Sequence, residues 1–132
     1  MTVHVVRSRN ETAAGVEIKL AADRTGGAVS VLELALPPGG GASSHRHSRE
    51  HEILVVLEGL LRVDDDAETV ELRVGDLILI PSGTRHAFAN ASESVVRALV
   101  VTVPGGLEQF FRDLESGVDP ALAGERAGLE FG

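Results

Sequence analysis

The clearest structural signal in this chain lies at residues 39–59, which read GGGASSHRHSREHEILVVLEG. His45 and His47 are two residues apart, so on a β-strand both side chains point to the same face and can reach one ion. Glu52 follows His47 by an odd number of residues, so on one continuous strand the two side chains would point to opposite faces. This predicts a turn or bulge within residues 48–51 that brings Glu52 to the same face as His47. We therefore expect two successive strands that direct all three side chains into one interior.

A second segment, residues 75–90, reads GDLILIPSGTRHAFAN and places another histidine on a strand. Turn residues bound a short apolar run at each end. His86 and Phe88 then alternate onto one face of the following strand. Phe88 is therefore expected to line the same cavity as the histidines.

Elsewhere, short apolar runs recur between turn signals, the pattern of an all-β sandwich or barrel. The runs that read as strands are residues 16–20, 28–36, 60–63, 69–72 and 95–103. After residue 104 the period changes to that of one amphipathic helix. Its apolar stripe consists of Leu107, Phe110, Phe111 and Leu114. We also expect an N-terminal strand around His4 and a partly ordered tail from Asp119 onward, where alanine and glycine are frequent.

Composition narrows the classes of function. The 132 residues carry a formal net charge of −8, so we expect no binding to nucleic acid or to an anionic membrane. The chain has no cysteine, which excludes thiolate ligands and disulfides. The N-terminus lacks the apolar run of a signal peptide, and we expect a cytoplasmic protein. All four aromatic residues are Phe, and this scarcity predicts a pocket without aromatic stacking platforms.

Together the two segments resemble the two motifs of the cupin superfamily. The first motif is Gly39, five residues, His45, one residue, His47, four residues, Glu52, six residues and Gly59. The second is Gly75, five residues, Pro81, one residue, Gly83, two residues, His86, three residues and Asn90. The resemblance implies an all-β fold, the double-stranded β-helix or jelly-roll barrel, with a C-terminal helix. It also implies one cupin domain over residues 1–132, with the barrel core at about 28–103 and the helix at about 106–116.

Carried over residue by residue, the resemblance implies that His45, His47, Glu52 and His86 bind one metal ion. Three neutral imidazoles and one carboxylate form an N3O set, which suits a divalent transition metal (Fe, Mn, Ni, Co, Cu or Zn). Such a set leaves coordination positions open for a small-molecule substrate. Glu52 is also the candidate catalytic residue, as the acceptor of a substrate proton, and Phe88 is the candidate substrate-binding residue.

Three other polar residues of the two segments are not predicted to be metal ligands in the first place. Asn90 is expected to form hydrogen bonds at a turn or strand end. Glu50 is more readily explained as a solvated turn carboxylate than as a general base near the metal. His51 is expected to be structural or solvent-facing, although a substrate-facing role or a role as an alternative ligand stays open.

The resemblance favours a metal-dependent enzyme of the dioxygenase type that acts on a small enol- or phenol-like molecule. Two alternatives stay open: a metal-assisted cyclase or isomerase of aromatic, polyketide-type molecules, and a cupin that binds a small ligand without catalysis. The strand after Glu52 also carries Ile53, Val55 and Leu57 on its opposite face. Because such an apolar face needs a cover, we expect a homodimer.

Overall fold

The computed structural model describes residues 3–8 and 10–132. Within them the chain forms eleven β-strands and two α-helices. The strands are β1 (Glu11–Ala13), β2 (Val16–Leu20), β3 (Ser30–Leu36), β4 (Gly41–His47), β5 (His51–Glu58), β6 (Leu61–Asp65), β7 (Thr69–Leu72), β8 (Leu77–Ile80), β9 (His86–Ala89), β10 (Val96–Val103) and β11 (Leu129–Phe131). The helices are α1 (Glu108–Glu115) and α2 (Pro120–Ala127).

The strands form two antiparallel sheets. One has six strands in the order β1-β2-β3-β10-β5-β8, and the other has five in the order β11-β4-β9-β6-β7. Strands far apart in sequence are neighbours, as in the pairing of β4 with β9 and of β3 with β10. Leu32, Leu54 and Leu61 are almost completely buried in the apolar core. The all-β, double-stranded β-helix implied by the sequence is confirmed.

The change of phase between the two histidines and Glu52 occurs where it was expected. β4 ends at His47, a bend follows, and β5 begins at His51. After the bend Glu52, Leu54 and Val56 are buried, whereas the intervening side chains of β5 are less buried. A short irregular connection therefore brings the β5 carboxylate to the same interior as the β4 imidazoles.

The expectation of a partly ordered tail after Asp119 was wrong. The segment forms α2, which starts with Pro120 in its first turn and with the Asp119 carboxylate accepting a hydrogen bond from the Leu122 N–H. Gly128 ends the helix with a φ of 74°, and β11 then pairs with β4. Alanine and glycine dominate here because α2 packs closely, not because the chain lacks structure. We call residues 107–131 the C-terminal cap.

The strand expected around His4 is also absent. Residues 3–8 have no regular structure, and the His4 side chain is exposed. The first strand is β1, a short edge strand that pairs with β2. Neither helix of the described chain has the length and apolar character needed to cross a membrane.

Candidate metal centre

Three strands bring the four predicted ligands together. β4 supplies His45 and His47, β5 supplies Glu52, and β9 supplies His86. All four residues are buried, with between 2% and 6% of their surface exposed. His45 lies opposite His86 in the β4–β9 pair, and their ring centroids are 4.3 Å apart. The fold therefore gathers three imidazoles and one carboxylate from two separate parts of the sequence.

The donor atoms of the three histidines lie close enough together that they could hold one small cation, and the Glu52 carboxylate lies beside two of them. Each of the three histidines offers a ring nitrogen within 4.8 Å of the other two. The Glu52 carboxylate places Oε2 3.1 Å from His47 Nε2 and Oε1 3.4 Å from His86 Nε2. Two atoms that are each ~2.1 Å from one ion, at an angle of ~90–110°, are ~3.0–3.4 Å apart. The two carboxylate–imidazole separations match that range.

A hydrogen bond at Nδ1 orients each imidazole. His45 Nδ1 is 2.7 Å from the Ser43 carbonyl oxygen, and His86 Nδ1 is 2.9 Å from the Thr84 carbonyl oxygen. Because a carbonyl only accepts, Nδ1 carries the proton in both rings. Each Nε2 then keeps its lone pair, which is the state a metal ligand requires.

His47 is oriented by a carboxylate instead. Its Nδ1 is 2.7 Å from Glu50 Oε1, and Glu50 is itself only 4% exposed. The expectation that Glu50 is a solvated turn carboxylate was therefore wrong, because the bend between β4 and β5 turns its side chain inward. Glu50 stands behind His47 as an outer partner that holds the ring in place.

The donor atoms of the site lack other partners. In the described part of the chain, five buried side-chain nitrogen or oxygen atoms make no hydrogen bond. Three of them are His47 Nε2, His86 Nε2 and Glu52 Oε1. Leaving one such buried group unsatisfied costs roughly 1–3 kcal/mol. A cation on these atoms would satisfy all three at once, so the residues fit a metal ion.

In the metal-free cluster the pKa values of three members are shifted in different directions. Burial raises the pKa of Glu52, but the His47 and His86 rings beside it lower that pKa by more, and the net value is about 2. Burial lowers the pKa of His47, but the Glu50 and Glu52 carboxylates raise it more, to about 9. Burial and the neighbouring imidazoles lower the pKa of His45. At neutral pH the cluster therefore contains an ionised Glu52, a neutral His45 and a proton on His47 that a metal would displace.

A cavity of about 490 Å³ adjoins the ligands. Of the twenty described residues that line it, four carry polar side chains: Ser43, His45, His47 and Glu52. The remaining lining residues are apolar or glycine. Phe88 is among them, with its ring centroid 6.3 Å from that of His45. The cavity is therefore polar at the candidate metal centre and apolar elsewhere.

The expectation of a pocket without aromatic stacking platforms was wrong. All four Phe residues of the chain, Phe88, Phe110, Phe111 and Phe131, line this cavity. Three of them belong to the C-terminal cap, which is far from both motifs in sequence. A low aromatic content says how many rings exist but not where the fold gathers them.

Two other residues near the motifs have structural roles. The exposed His51 accepts a hydrogen bond at Nδ1 from the Ser82 N–H, 3.0 Å away. The buried Asn90 amide donates to the carbonyl oxygens of Leu36 and Ser94, at 3.0 and 2.7 Å. The hydrogen-bonding role expected for Asn90 and the structural role expected for His51 agree with these contacts.

Sequence reasoning missed the orienting role of Glu50 and the position of the cap aromatics. One signal was available for Glu50, because a carboxylate three residues after a candidate ligand on the same turn can fold back onto it. No comparable local signal exists for Phe131. Its place beside His45 depends on the pairing of β11 with β4, which joins residues 82 to 86 positions apart.

Several known proteins are related to this chain in sequence. The chain is 40% identical over 60 residues to polyketide synthase CurC of Streptomyces cyaneus, an alignment that covers 46% of this chain and 39% of that protein. It is 31% identical over 97 residues to quercetin 2,3-dioxygenase of Bacillus subtilis, covering 74% of this chain and 28% of that protein. The chain thus spans well under two thirds of the length of either relative.

A solved structure of another protein has a similar fold. The crystal structure of a predicted oxalate decarboxylase from Thermotoga maritima superposes with a TM-score of 0.66 and 24% identity, covering 76% of this chain and 99% of the other. At this identity the likeness concerns the fold. The family model described as "Cupin domain" matches residues 32–102, which is more than half of the chain and includes both motifs. The chain therefore belongs to the cupin domain family.

Proposed function

We propose that this cupin is a metal-dependent enzyme of the dioxygenase type that acts on a small enol- or phenol-like molecule. One observation carries the proposal: three buried histidines that could hold one metal ion, with the Glu52 carboxylate beside two of them, adjoin a cavity of about 490 Å³. Cavities of ~300–1,000 Å³ are typical of sites for small organic molecules. The relatives named as a quercetin 2,3-dioxygenase and a polyketide synthase support this substrate class.

The site is open on the side where a substrate would bind. Structural zinc sites are usually closed by four protein ligands, whereas catalytic sites keep a position free. Here His45, His47 and Glu52 all line the cavity, so a ligand in the cavity would reach the metal position directly. A divalent metal held by these residues would supply Lewis acidity and, if redox-active, a site for O2.

The surrounding residues have complementary tasks in this proposal. Glu52 lines the cavity and its Oε1 accepts no hydrogen bond from the described residues, so in this proposal Glu52 accepts the proton of a substrate hydroxyl. Glu50 keeps His47 in position through its hydrogen bond to Nδ1. Phe88 contacts the substrate beside His45. The apolar walls exclude water from the reacting groups.

Metal analysis followed by oxygen consumption tests the proposal. Purified protein should contain about one transition-metal ion per chain, and the metal-loaded form should consume O2 with at least one member of a panel of flavonols, diketones and catechols. Protein that binds no metal would overturn the proposal at its base. Metal-loaded protein that consumes no O2 with any panel member would overturn the dioxygenase assignment.

The same panel separates the alternative functions. Turnover under strict exclusion of O2 would favour a metal-assisted cyclase or isomerase, for which the similarity to CurC is the supporting observation. Tight binding of a panel member without turnover, with or without O2, would favour a cupin that binds its ligand without catalysis.

We also propose that the protein is a homodimer joined through the outer face of the six-stranded sheet. On β8, Leu77 is 60% and Leu79 56% exposed. They lie opposite Val55 and Ile53 of β5, so the apolar face continues from the edge strand toward the centre of the sheet. Along β5 and β8 this face is apolar, which suits a second copy of itself better than a charged partner.

Light scattering at micromolar concentration tests the dimer. Twice the monomer mass of 13.9 kDa is expected. Leu79→Lys should give a monomer that still binds metal, whereas Val74→Lys, an equally exposed apolar site outside the sheet, should stay dimeric. A native mass of 13.9 kDa would contradict the dimer and leave the metal site untouched.

A further inference from the structure

Three of the four rings in the cavity come from outside the matched family region. The family model covers residues 32–102, which includes Phe88. Phe110 and Phe111 lie on α1 and Phe131 lies on β11, all within the C-terminal cap. The part of the cavity that is farthest from the motifs in sequence is therefore the part richest in aromatic side chains.

The rings form a continuous series that begins at the metal centre. The Phe131 ring centroid is 6.4 Å from that of His45, with an interplanar angle of 40°. Phe110 follows at 6.3 Å from Phe131, and Phe111 at 5.2 Å from Phe110. Centroid separations of ~4.5–7 Å are those of interacting aromatic rings. An aromatic ligand anchored beside His45 would meet this series along its length.

The cap is attached to the strand that carries two of the candidate ligands. β11 pairs with β4 so that Phe131 lies opposite His45 and Leu129 opposite His47. The Ser48 hydroxyl and N–H both donate to the Gly128 carbonyl oxygen, at 2.8 and 2.9 Å. These contacts fix the backbone of β11, which carries Phe131, relative to the metal centre.

A second anchor lies at the other end of the cap. The buried Glu108 carboxylate accepts hydrogen bonds from the Ser30 hydroxyl at 2.6 Å and from the Ala22 N–H at 2.7 Å. Because α1 is fixed to the barrel in this way, Phe110 and Phe111 keep their places at the cavity.

Away from the candidate metal centre, no described side chain that lines the cavity is cationic. None of the described residues that line it is Lys or Arg, and its polar side chains are confined to the metal end. A carboxylate or phosphate on the far part of a substrate would therefore lose water without gaining a partner. The lining selects against such anionic groups.

We propose that the C-terminal cap selects an uncharged aromatic substrate, whose oxygen substituents lie at the polar end of the cavity and whose rings pack against Phe131, Phe110 and Phe111. This inference rests on the proposed function and specifies its substrate class. It assigns the chemical step to the barrel and the choice of substrate to the cap.

Zinc-loaded protein tests the inference without turnover, because zinc does not change oxidation state. Three probes separate the two features: 3-hydroxyflavone has both the rings and a chelating oxygen pair, flavone has the rings alone, and oxalate has a chelating head with charge and no rings. The chain has no Trp or Tyr, so the near-ultraviolet absorbance of the flavones is read with little protein background. We expect 3-hydroxyflavone to bind at least tenfold more tightly than either of the others.

Variants of the cap then locate the selectivity. Phe110→Ala and Phe131→Ala should each weaken 3-hydroxyflavone binding by about threefold to tenfold while the affinities for oxalate and zinc stay unchanged. Gly124→Ala keeps all four rings but would place a Cβ 2.5 Å from Phe131 Cε2, so it should move that ring and also weaken 3-hydroxyflavone binding. Glu125→Ala, on the same helix and exposed, should have no effect.

The possible failures are distinguishable. Preference for oxalate over 3-hydroxyflavone by zinc-loaded protein would overturn the inference, and so would equal losses of oxalate and 3-hydroxyflavone binding in the cap variants. Failure of the protein to bind any divalent transition metal stoichiometrically, zinc included, would instead overturn the proposed function on which the inference depends.

Discussion

The two ends of the cavity are built in opposite ways. At the polar end every histidine is oriented by an acceptor close to it in sequence: Ser43 for His45, Glu50 for His47 and Thr84 for His86. At the apolar end the rings come from β9, α1 and β11, which are distant in sequence and meet only through the packing of the cap. Short-range hydrogen bonds therefore define the chemistry, and long-range packing defines the space beside it.

This difference predicts how each end responds to substitution. The polar end is a set of buried groups that lack partners without a cation, so removal of one member should affect the others strongly. The apolar end is made of many small contributions, and loss of one ring should have a modest effect. We therefore expect substitutions at the polar end to have stronger effects than substitutions at the apolar end.

His86→Ala should abolish stoichiometric metal binding, because it removes one of the three imidazoles that share the site. The loss should exceed the roughly 10–100-fold that removal of an outer partner causes. Elemental analysis and thermal unfolding with and without metal measure it, since a metal that binds the native state alone raises the melting temperature. His51→Ala is the matched control, an exposed histidine that should bind metal like the native protein. Full metal content in His86→Ala would contradict the site.

The candidate metal centre, which His86→Ala tests, is the part of the molecule that was best predicted from the sequence. Strand periodicity, a local property, sufficed to place His45 and His47 on one face, and helical periodicity sufficed to predict α1. The full set with Glu52 and His86, and the double-stranded β-helix, were implied by the resemblance to the cupin motifs. Helix α2 and the site of Phe131 were not, since both depend on contacts with β4 that no local pattern encodes.

Metal affinity should rise with pH between 6.5 and about 9. The pKa of His47 is raised from 6.5 to about 9 in the metal-free site, so over this window the metal must displace a proton from the ring. The apparent affinity should increase by up to about tenfold per pH unit and level off above pH 9. Competition with a chromophoric chelator over this range measures it. A flat profile from pH 6.5 to 9 would indicate that His47 is already neutral.

Glu50→Ala should weaken metal binding by about 10–100-fold, because the His47 ring loses the partner that fixes its orientation. Glu50→Gln should lose less, since its amide oxygen still accepts the Nδ1 proton. Isothermal titration with zinc compares both variants with Glu125→Ala, an exposed glutamate on α2. Equal affinity in Glu50→Ala and the native protein would make Glu50 a packing residue only.

Gly124→Ala should change the free energy of unfolding by less than about 1 kcal/mol. Alanine in place of glycine inside a helix contributes up to about 1 kcal/mol of stability, but the new Cβ would meet Phe131 Cε2 at 2.5 Å. Phe131 is 52% exposed, so its ring can move aside and the two effects nearly offset each other. Ala121→Gly, at an exposed site of the same helix, should lose about 1 kcal/mol and calibrate the measurement by denaturant unfolding.

A loss of more than about 2 kcal/mol in Gly124→Ala would mean that the Phe131 ring cannot move. The apolar end would then be as tightly defined as the polar end, and the contrast between short-range and long-range construction would fail. A near-neutral change in stability, together with weaker binding of an aromatic probe, would instead separate the two properties. The lack of a side chain at Gly124 would then leave room for the Phe131 ring without stabilising the helix.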